Sequence, residues 1–482
     1  MTVRISGTPG DSARTAGTPG AWGALGACLV AVFIQMLDLT VVHTAVPAVA
    51  RALRADAAEQ LLIVTGYGLA FACTLLTAAR LGDLFGRRTV FLTAVGAFAA
   101  ASLWCGIASG AAELVAARAV AGVAAAAASA QTIAIITGAF PERGRGAAFG
   151  VYGAVAGLAG LAGPLAGGAL VDANALGVGW RAIFLVNVPL CALAIALGRR
   201  YVTEGPPDES PRPATARELD LAGVLLSATG LAALVFPLTA GRELGWPPTL
   251  WVLLASSVPL LAVFAHRQRR QARAGGDPLV RPELFADRDF AIGAILMAVF
   301  YGMFTALLFT VSVTVQSGLS WSASRTGLLM LPFAIGAVAG ALSSPILLSL
   351  WGARALTVGV GIFAVALGAA AKIIETAGST VDIGALAWPV FTAGAGMGWF
   401  AAPLPSVMLR GVADRVTGSA SGIVPAVQQI GSAVGVAVLG MVFFDRVSQR
   451  SYLEAITTVL WTMAGVSAGL ALLTLALPRR RS

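Results

Sequence analysis

Apolar positions run along this chain in long unbroken blocks separated by short polar stretches. A helix rises 1.5 Å per residue, so roughly 20 apolar residues cross a hydrocarbon layer of about 30 Å. Blocks of that length fall near residues 22–47, 60–80, 88–108, 111–138, 147–170 and 180–198, then near 219–240 and 249–266. Six more follow near 290–315, 325–350, 354–374, 382–409, 418–443 and 454–477. The pattern predicts an all-α membrane protein of fourteen transmembrane helices, arranged as two six-helix pseudo-symmetric bundles plus two extra central helices. The domain organisation expected is a disordered cytoplasmic tail over 1–20 and an N-terminal six-helix bundle over 21–200. Linkers and the two additional helices occupy 201–289, a C-terminal six-helix bundle 290–478, and a basic C-terminal tail 479–482.

Composition removes the competing picture of two or three soluble domains. Of the 482 residues, 57% are hydrophobic and 11% charged, and 57 are glycine. The net charge of +9 does not imply nucleic acid, because the basic residues cluster between apolar blocks and do not interleave with aromatics. They set topology instead. With the N-terminus inside, most Lys and Arg residues fall in the tails and even-numbered loops, which predicts a multi-pass protein of the cell membrane with both termini cytoplasmic. The heaviest cluster is "HRQRRQARAGGDPLVRPELFADRDF", between helices 8 and 9. The first block is too long for a cleaved signal core, so the N-terminal tail is expected to be retained. Cys28, Cys73, Cys105 and Cys191 stand singly in apolar segments, without CxxC or metal-ligand spacing, and read as packing residues with no metal site.

An internal repeat runs through the chain. One ungapped register pairs Gly122 with Gly394, Gly146 with Gly418, Gly150 with Gly422, Gly163 with Gly435, Gly168 with Gly440 and Arg143 with Arg415. Earlier in each half the offset drifts, with "LFGRRTV" from Leu84 matching "LWGARAL" from Leu350. Two parallel repeats related by an axis along the membrane normal account for this. The register also sets Val390 opposite Arg118, and a looser match sets Leu308 opposite Asp38. Both intramembrane charges therefore belong to the first half alone.

Several short motifs stand at fixed places in this order of helices. The loop "ARLGDLFGRRTV" between helices 2 and 3 carries Arg80, Gly82, Asp83, Gly86, Arg87 and Arg88. Gly86 allows a tight turn there. Asp83 is free to face the positive N-terminal end of a helix from the other half, the start of helix 13, "RVTGSAS", with Thr417 or Ser419 as its cap. In helix 5, "GLAGLAGPLAGG" carries Gly163, Pro164, Gly167 and Gly168, a smooth face for close helix approach followed by a bend. "WRAIFLVNVP", with Trp180, Arg181, Phe184, Asn187 and Pro189, reads as an interfacial anchor opening helix 6. Arg118 and Gly122 mark helix 4, and "LDLTVVHTAVP" from Leu37 marks helix 1.

Together these motifs resemble the major facilitator superfamily and, within it, the fourteen-helix drug:proton antiporter branch, over nearly the whole chain. The resemblance departs at Ala79 and Leu84 in the loop, at Ala121 where glutamine is usual, and at His43 where asparagine is usual. It implies multidrug or antibiotic efflux, a conformational switch at the 80–88 loop and an antiporter motif in helix 5.

Asp38 and Arg118 are the residues that need explaining. Each charge at a helix centre costs about 2.5 to 3.5 kcal/mol, so two without partners would cost about 5 to 7. Asp38 should lie roughly 13 Å below the outer end of helix 1, and Arg118 roughly 10 Å below the same surface on helix 4. Two matching depths predict a pair. Burial disfavours a carboxylate while a guanidinium favours it, so a rearrangement that separates the two would load a proton and one that joins them would release it. Gln35 shares a face with Asp38, and Ser129 and Thr132 with Arg118. With Tyr67, Tyr301, Phe304 and Gln316 they are candidates for a substrate cavity. His43 lies about 140° round the helix from Asp38 and reads as a packed or interfacial residue.

The function expected is proton-coupled antiport that exports drugs, antibiotics or hydrophobic metabolites by alternating access. Protons are the coupling ion, and no other cofactor is expected. The partners expected are a small amphipathic or hydrophobic substrate and membrane lipids, with the protein acting as a monomer. No GxxxxGK[ST] loop points to ATP. Two alternatives stand beside this reading: a proton-coupled symporter for nutrient uptake, and an intramembrane enzyme. The lack of HExxH and of clustered metal ligands argues against the enzyme.

Overall fold

A computed structural model of the chain describes residues 19–140, 142–174, 177–203, 220–241, 244–275, 278–280, 282–408 and 414–475. The predicted tails over 1–20 and 479–482 therefore lie almost wholly outside the described residues, as does the 204–219 linker. The described residues form α-helices and short helical turns. A first group comprises α1 (Pro19–Leu53), α2 (Ala57–Phe85), α3 (Arg87–Ile107), α4 (Ala111–Ala139), α5 (Glu142–Ala173), α6 (Ala182–Leu185) and α7 (Asn187–Tyr201). Next come α8 (Leu221–Ala240) and α9 (Pro248–Arg273). A second group comprises α10 (Arg288–Val313), α11 (Ala323–Trp351), α12 (Arg354–Ala377), α13 (Ile383–Ala401), α14 (Leu404–Met408), α15 (Asp414–Gln449) and α16 (Tyr452–Thr474).

Among the described residues, 11 helices are long and apolar enough to cross a membrane, fewer than the fourteen expected. The shortfall has a simple origin. The described apolar stretches of α5 and α8 are only Leu158–Ala173 and Ala222–Leu238, and α13, 19 residues long, is the third predicted span outside that number.

Helix boundaries follow from local chemistry. Asp56 opens α2 with a capping box: its carboxylate accepts from the Glu59 amide at 2.7 Å while Glu59 accepts from the Asp56 amide at 3.1 Å. Ser322 and Ser451 cap α11 and α16 in the simpler way. Gly86 separates α2 from α3 with φ 84°, and Gly352 separates α11 from α12 with φ 58°. Both lie where a side chain would be strained, and they occupy the same position in the two repeats. The thirteenth predicted helix, α15, starts at Asp414, so Thr417 and Ser419 sit within its opening turns and do not cap it. The sixth predicted helix is broken into α6 and α7 at Val186. Pro189 lacks the N–H that would bond the Leu185 carbonyl, and its ring crowds that carbonyl.

Packing repeats between the two groups. α1 packs on α5 and α7 as α10 packs on α15 and α16; α4 packs on α2 and α3 as α13 packs on α11 and α12. One pair of contacts shows the match in atomic detail. A Cβ added at Gly122 would collide with the Tyr67 carbonyl, and one added at Gly394 would collide with the Phe333 carbonyl. Tyr67 and Phe333 are themselves equivalent under the register that pairs Leu84 with Leu350. The groups meet through α2 on α15 and α5 on α11, and α8 lies over the first of these seams, with Val235 packed on Ala433 and Ala437.

The α8–α9 hairpin is fastened at one end by the buried carboxylate of Asp220. It accepts from the Gly223 amide at 3.1 Å, from Arg267 Nε at 2.7 Å and from Gln268 Nε2 at 2.9 Å. Burial works against its charge, but Gln268, Arg267 and the Gly223 amide hold the carboxyl below its ordinary value. Gln268 in turn accepts from the Val280 amide at 3.1 Å, tying the hairpin to the segment that leads into α10.

Candidate functional site

Asp38 and Arg118 form an ion pair in the interior of the first group, from Arg118 Nη1 to Asp38 Oδ2. The side chains are 1% and 0% exposed, respectively. Two charges so far from solvent persist only when their remaining hydrogen-bonding capacity is met by fixed partners. Arg118 Nε donates to the Ile63 carbonyl of α2 at 3.2 Å. Its guanidinium lies 4.5 Å from the Tyr67 ring centroid and 5.8 Å from that of Phe184, a stacking that compensates part of the lost hydration. On the other side, Asn187 Nδ2 donates to Asp38 Oδ1 at 2.9 Å and to Ser102 Oγ at 3.3 Å. Arg118 Nη2 and Asn187 Oδ1 are buried without a hydrogen-bond partner among the described residues. The carboxylate thus has a firm partner on each side, and each partner keeps one polar atom uncommitted.

Asn187 is the residue that sequence reasoning passed over. It belonged to a motif read as an interfacial anchor, yet it is completely buried, and the break between α6 and α7 sets it against Asp38. The anchor reading also fails for Trp180, which is 5% exposed and packs edge-on against Phe184 at 6.1 Å. Its neighbour Arg181 donates to the Ala108 carbonyl at 2.9 Å. The segment packs against the bundle through the Trp180–Phe184 contact and the Arg181–Ala108 hydrogen bond, while Trp180 Nε1 is buried without a partner among the described residues. A lone amide within an apolar block was the available signal for Asn187.

The cavity candidates separate into four sets. Tyr67 joins the charge site. Gln35, Ser129 and Thr132 are buried within the first group, and the Thr132 hydroxyl is bonded to its own helix at the Ala128 carbonyl. Tyr301 and Phe304 lie half-buried in the second group, where Phe304 stacks on Phe333 at 5.8 Å with the planes 16° apart. Gln316 does different work. From a wide π turn over Thr314–Gly318, its amide donates to the Thr44 carbonyl at 2.7 Å and to Ser312 Oγ at 3.0 Å, joining the two groups. His43 is buried, with Nδ1 unpartnered among the described residues.

The helix-5 motif sits at a second joint between the groups. Gly163 and Gly167 let α5 approach the backbone and Thr40 side chain of α1, and Gly168 lets it approach Ala323 at the start of α11. The Pro164 carbonyl in turn faces Gly327 of α11. The repeat-related contact sets Gly440 of α15 against Leu61 of α2. Beyond the predicted 147–170 span, near the end of α5, Asp172 accepts from the Ser324 amide at 2.7 Å, placing a carboxylate at the positive end of α11. Partial burial opposes its charge, but hydrogen bonds from Ser324, Ser322 and the Ala323 amide hold the carboxyl below its ordinary value.

In the loop between α2 and α3, Arg87 Nη1 donates to the Ala134 carbonyl of α4 at 3.4 Å. Arg88 Nη2 donates to the Arg199 carbonyl near the end of α7 at 2.9 Å, where a cation favours the helix dipole. Gly82 leaves room for Gln131, which donates to the Ala78 carbonyl at 2.7 Å. The side chains of Arg80 and Asp83 lie outside the described residues.

Comparison with known proteins places this geometry. The family description of the Major Facilitator Superfamily matches residues 28–436. The chain is 36% identical over 455 residues to the probable actinorhodin transporter of Streptomyces coelicolor, covering 92% of this chain and 76% of that one. It is 36% identical over 446 residues to the puromycin resistance protein pur8 of Streptomyces alboniger, covering 91% and 85%. Against the tetracenomycin C resistance and export protein of Streptomyces glaucescens, identity is 30%, with 92% and 79% covered. In fold, the chain is similar to a bacterial homologue of the human lysosomal transporter Spinster in an inward-facing, occupied conformation, with TM-score 0.68 at 15% identity over 96% of this chain and 98% of the other. The xylose transporter XylE from E. coli gives a TM-score of 0.64 at 12% identity, over 95% and 100%.

Proposed function

Since the chain belongs to the major facilitator superfamily, we propose that it is a proton-coupled antiporter exporting a drug, an antibiotic or a hydrophobic metabolite by alternating access. It is a multi-pass membrane transporter and not an enzyme. The relatives named for export of, or resistance to, actinorhodin, puromycin and tetracenomycin C support this class of cargo. The proton reading rests on one observation: the single acid at the centre of the first half, Asp38, is buried and held between Arg118 and Asn187.

The chemistry follows from that arrangement. With Arg118 in place the carboxylate is favoured; moving α4 or the α6–α7 break away from α1 leaves a buried carboxyl that gains by taking a proton. Asn187 can serve either state, since an amide both donates and accepts. One proton entering with net charge movement supplies about 2.3 kcal/mol per 100 mV of membrane potential.

The helices are read as fourteen spans, with α6 and α7 forming one broken span, α13 and α14 another, and α8 and α9 the added central pair between bundles over 21–200 and 290–478. The distribution of Lys and Arg supports a cell-membrane protein with both termini cytoplasmic, and we take it to act as a monomer. On that orientation the Gln316–Thr44 and Asp172–Ser324 contacts lie at the outer end, so the halves are joined on the outside. The decisive experiment is drug-driven proton movement in inverted vesicles. Asp38→Asn is expected to abolish it, and undiminished coupling in that variant would sink the proposal.

A further inference from the structure

The second half holds a cavity of about 60 Å³ in the place that the charge site occupies in the first. Leu308 and Val390, the repeat equivalents of Asp38 and Arg118, both line it. So do Leu329 and Phe333, which the Leu84–Leu350 register pairs with Ile63 and Tyr67. These are the positions of the carbonyl and the ring that hold the Arg118 guanidinium. The matching backbone contacts at Gly122 and Gly394 show that the two scaffolds are alike at this level. The void therefore has a definite cause: valine stands where the first half has arginine, and the backbone has not closed in to fill the difference.

The walls are apolar, and the Thr314 hydroxyl that reaches them is bonded to the Thr310 carbonyl. Packed interiors leave few voids of this size, because lining atoms forfeit contacts. An apolar cavity suits an apolar guest and disfavours a charged one. Phe333 at its edge stacks on Phe304, and Tyr301 packs edge-on against Phe304 at 6.5 Å. A half-buried aromatic face thus runs into the cavity. Met330 in the wall is an adaptable side chain that can yield to a ring.

We propose that this cavity is an apolar subsite of the transporter, receiving a neutral alkyl or aromatic group of the exported compound in the space that the Arg118 side chain fills in the other half. This rests on the export reading and gives it a substrate class: compounds with an uncharged apolar end, whose polar end stays outside the C-terminal bundle. The two halves then divide the work, one holding the coupling charge and the other the apolar body of the cargo.

The test uses the full chain in detergent micelles and a small neutral photoreactive probe, 3-trifluoromethyl-3-phenyldiazirine, with insertion mapped by mass spectrometry. Saturable labelling is expected on Leu308, Leu367 and Val390. Val390→Trp and, as a milder filling variant, Ala370→Leu should each weaken it roughly tenfold, equivalent to about 1.4 kcal/mol. Both should also raise the compound concentration needed for half-maximal export by a similar factor. Labelling that does not saturate, or that ignores both variants while they keep wild-type helicity, would overturn the proposal. Displacement of the probe by added phospholipid, with export unaffected by the variants, would overturn it too, marking a seat for a lipid chain. Labelling needs no proton gradient, so saturable labelling without proton-coupled export would remove the antiport reading alone. Coupled export with unaltered cargo dependence in the filled variants would remove the subsite alone.

Discussion

At one level of the molecule the two halves place the same backbone around opposite contents. In the first half, Asp38 and Arg118 are buried with Asn187, Ser102, Tyr67 and the Ile63 carbonyl as their partners. In the second, Leu308, Val390, Leu329 and Phe333 surround an apolar cavity. The scaffold that carries both depends on glycine faces, in which Gly122 meets the Tyr67 carbonyl and Gly394 meets that of Phe333. Repeated structure is thus a property of the small residues between helices, and chemistry a property of the few side chains pointing into each bundle.

The sharpest way to break the comparison is to make the first half resemble the second. Arg118→Met leaves Asp38 buried without its cation and is expected to cost about 3–5 kcal/mol of stability, with proton-coupled export lost. Pairing it with Asp38→Asn should recover part of that stability but none of the coupling, as thermal unfolding and vesicle assays on the same preparations would register. Recovery of export in the double variant would mean that the charges serve only to hold α1 and α4 together.

A smaller loss tests the partner that the α6–α7 break supplies. Asn187→Ala removes a hydrogen bond to a charged group, worth about 1.5–3 kcal/mol. It is expected to shift the pH dependence of export, a readout that loss of packing alone would leave in place. Asn187→Asp should be the more damaging change, since it sets a second carboxyl against the first.

The scaffold itself can be tested by mirrored substitution. Gly122→Leu and Gly394→Leu should each cost about 1–3 kcal/mol through overpacking, and by similar amounts, because each side chain would collide with an equivalent carbonyl. Unfolding measurements that found one harmless would contradict the match between the repeats at this level.

The smallest effect concerns the joint between the halves. The Asp172 carboxyl is held below its ordinary value of 3.8, so its contribution is present above that pH and is lost as pH falls through the lower folded value. Distance measurements between spin labels across this end should show opening as the pH falls below about 4. Asp172→Asn is expected to remove that step and leave the distances nearly independent of acid.

Much of the fold was legible in the sequence. Block length predicts the helices and Gly86 the turn between α2 and α3, whereas the caps at Asp56, Ser322 and Ser451 are visible only in the hydrogen bonds of the structure. The pairing of Asp38 with Arg118 was also legible, because depth along a helix is a count of residues and two isolated charges at one depth need each other. Thr417 and Ser419 were misplaced as caps because a cap is defined by where the backbone leaves the helix, and residue preference alone does not locate that point.

What the sequence determined by itself was the order of helices, their internal repeat and the confinement of charge to one half, all of which depend on residue type and spacing along one chain. Tertiary structure alone decided that Arg118 bonds the Ile63 carbonyl 55 positions away, that Asn187 reaches Asp38 across 149, and that Gln316 reaches Thr44 across 272. It also decided that Leu308 and Val390 line one cavity. The physical reason is that periodicity reports which face of a helix is turned inward, while the distance and rotation between two helices are set by how their surfaces interlock. A residue's partner, or the gap left in place of one, exists only once that packing is complete.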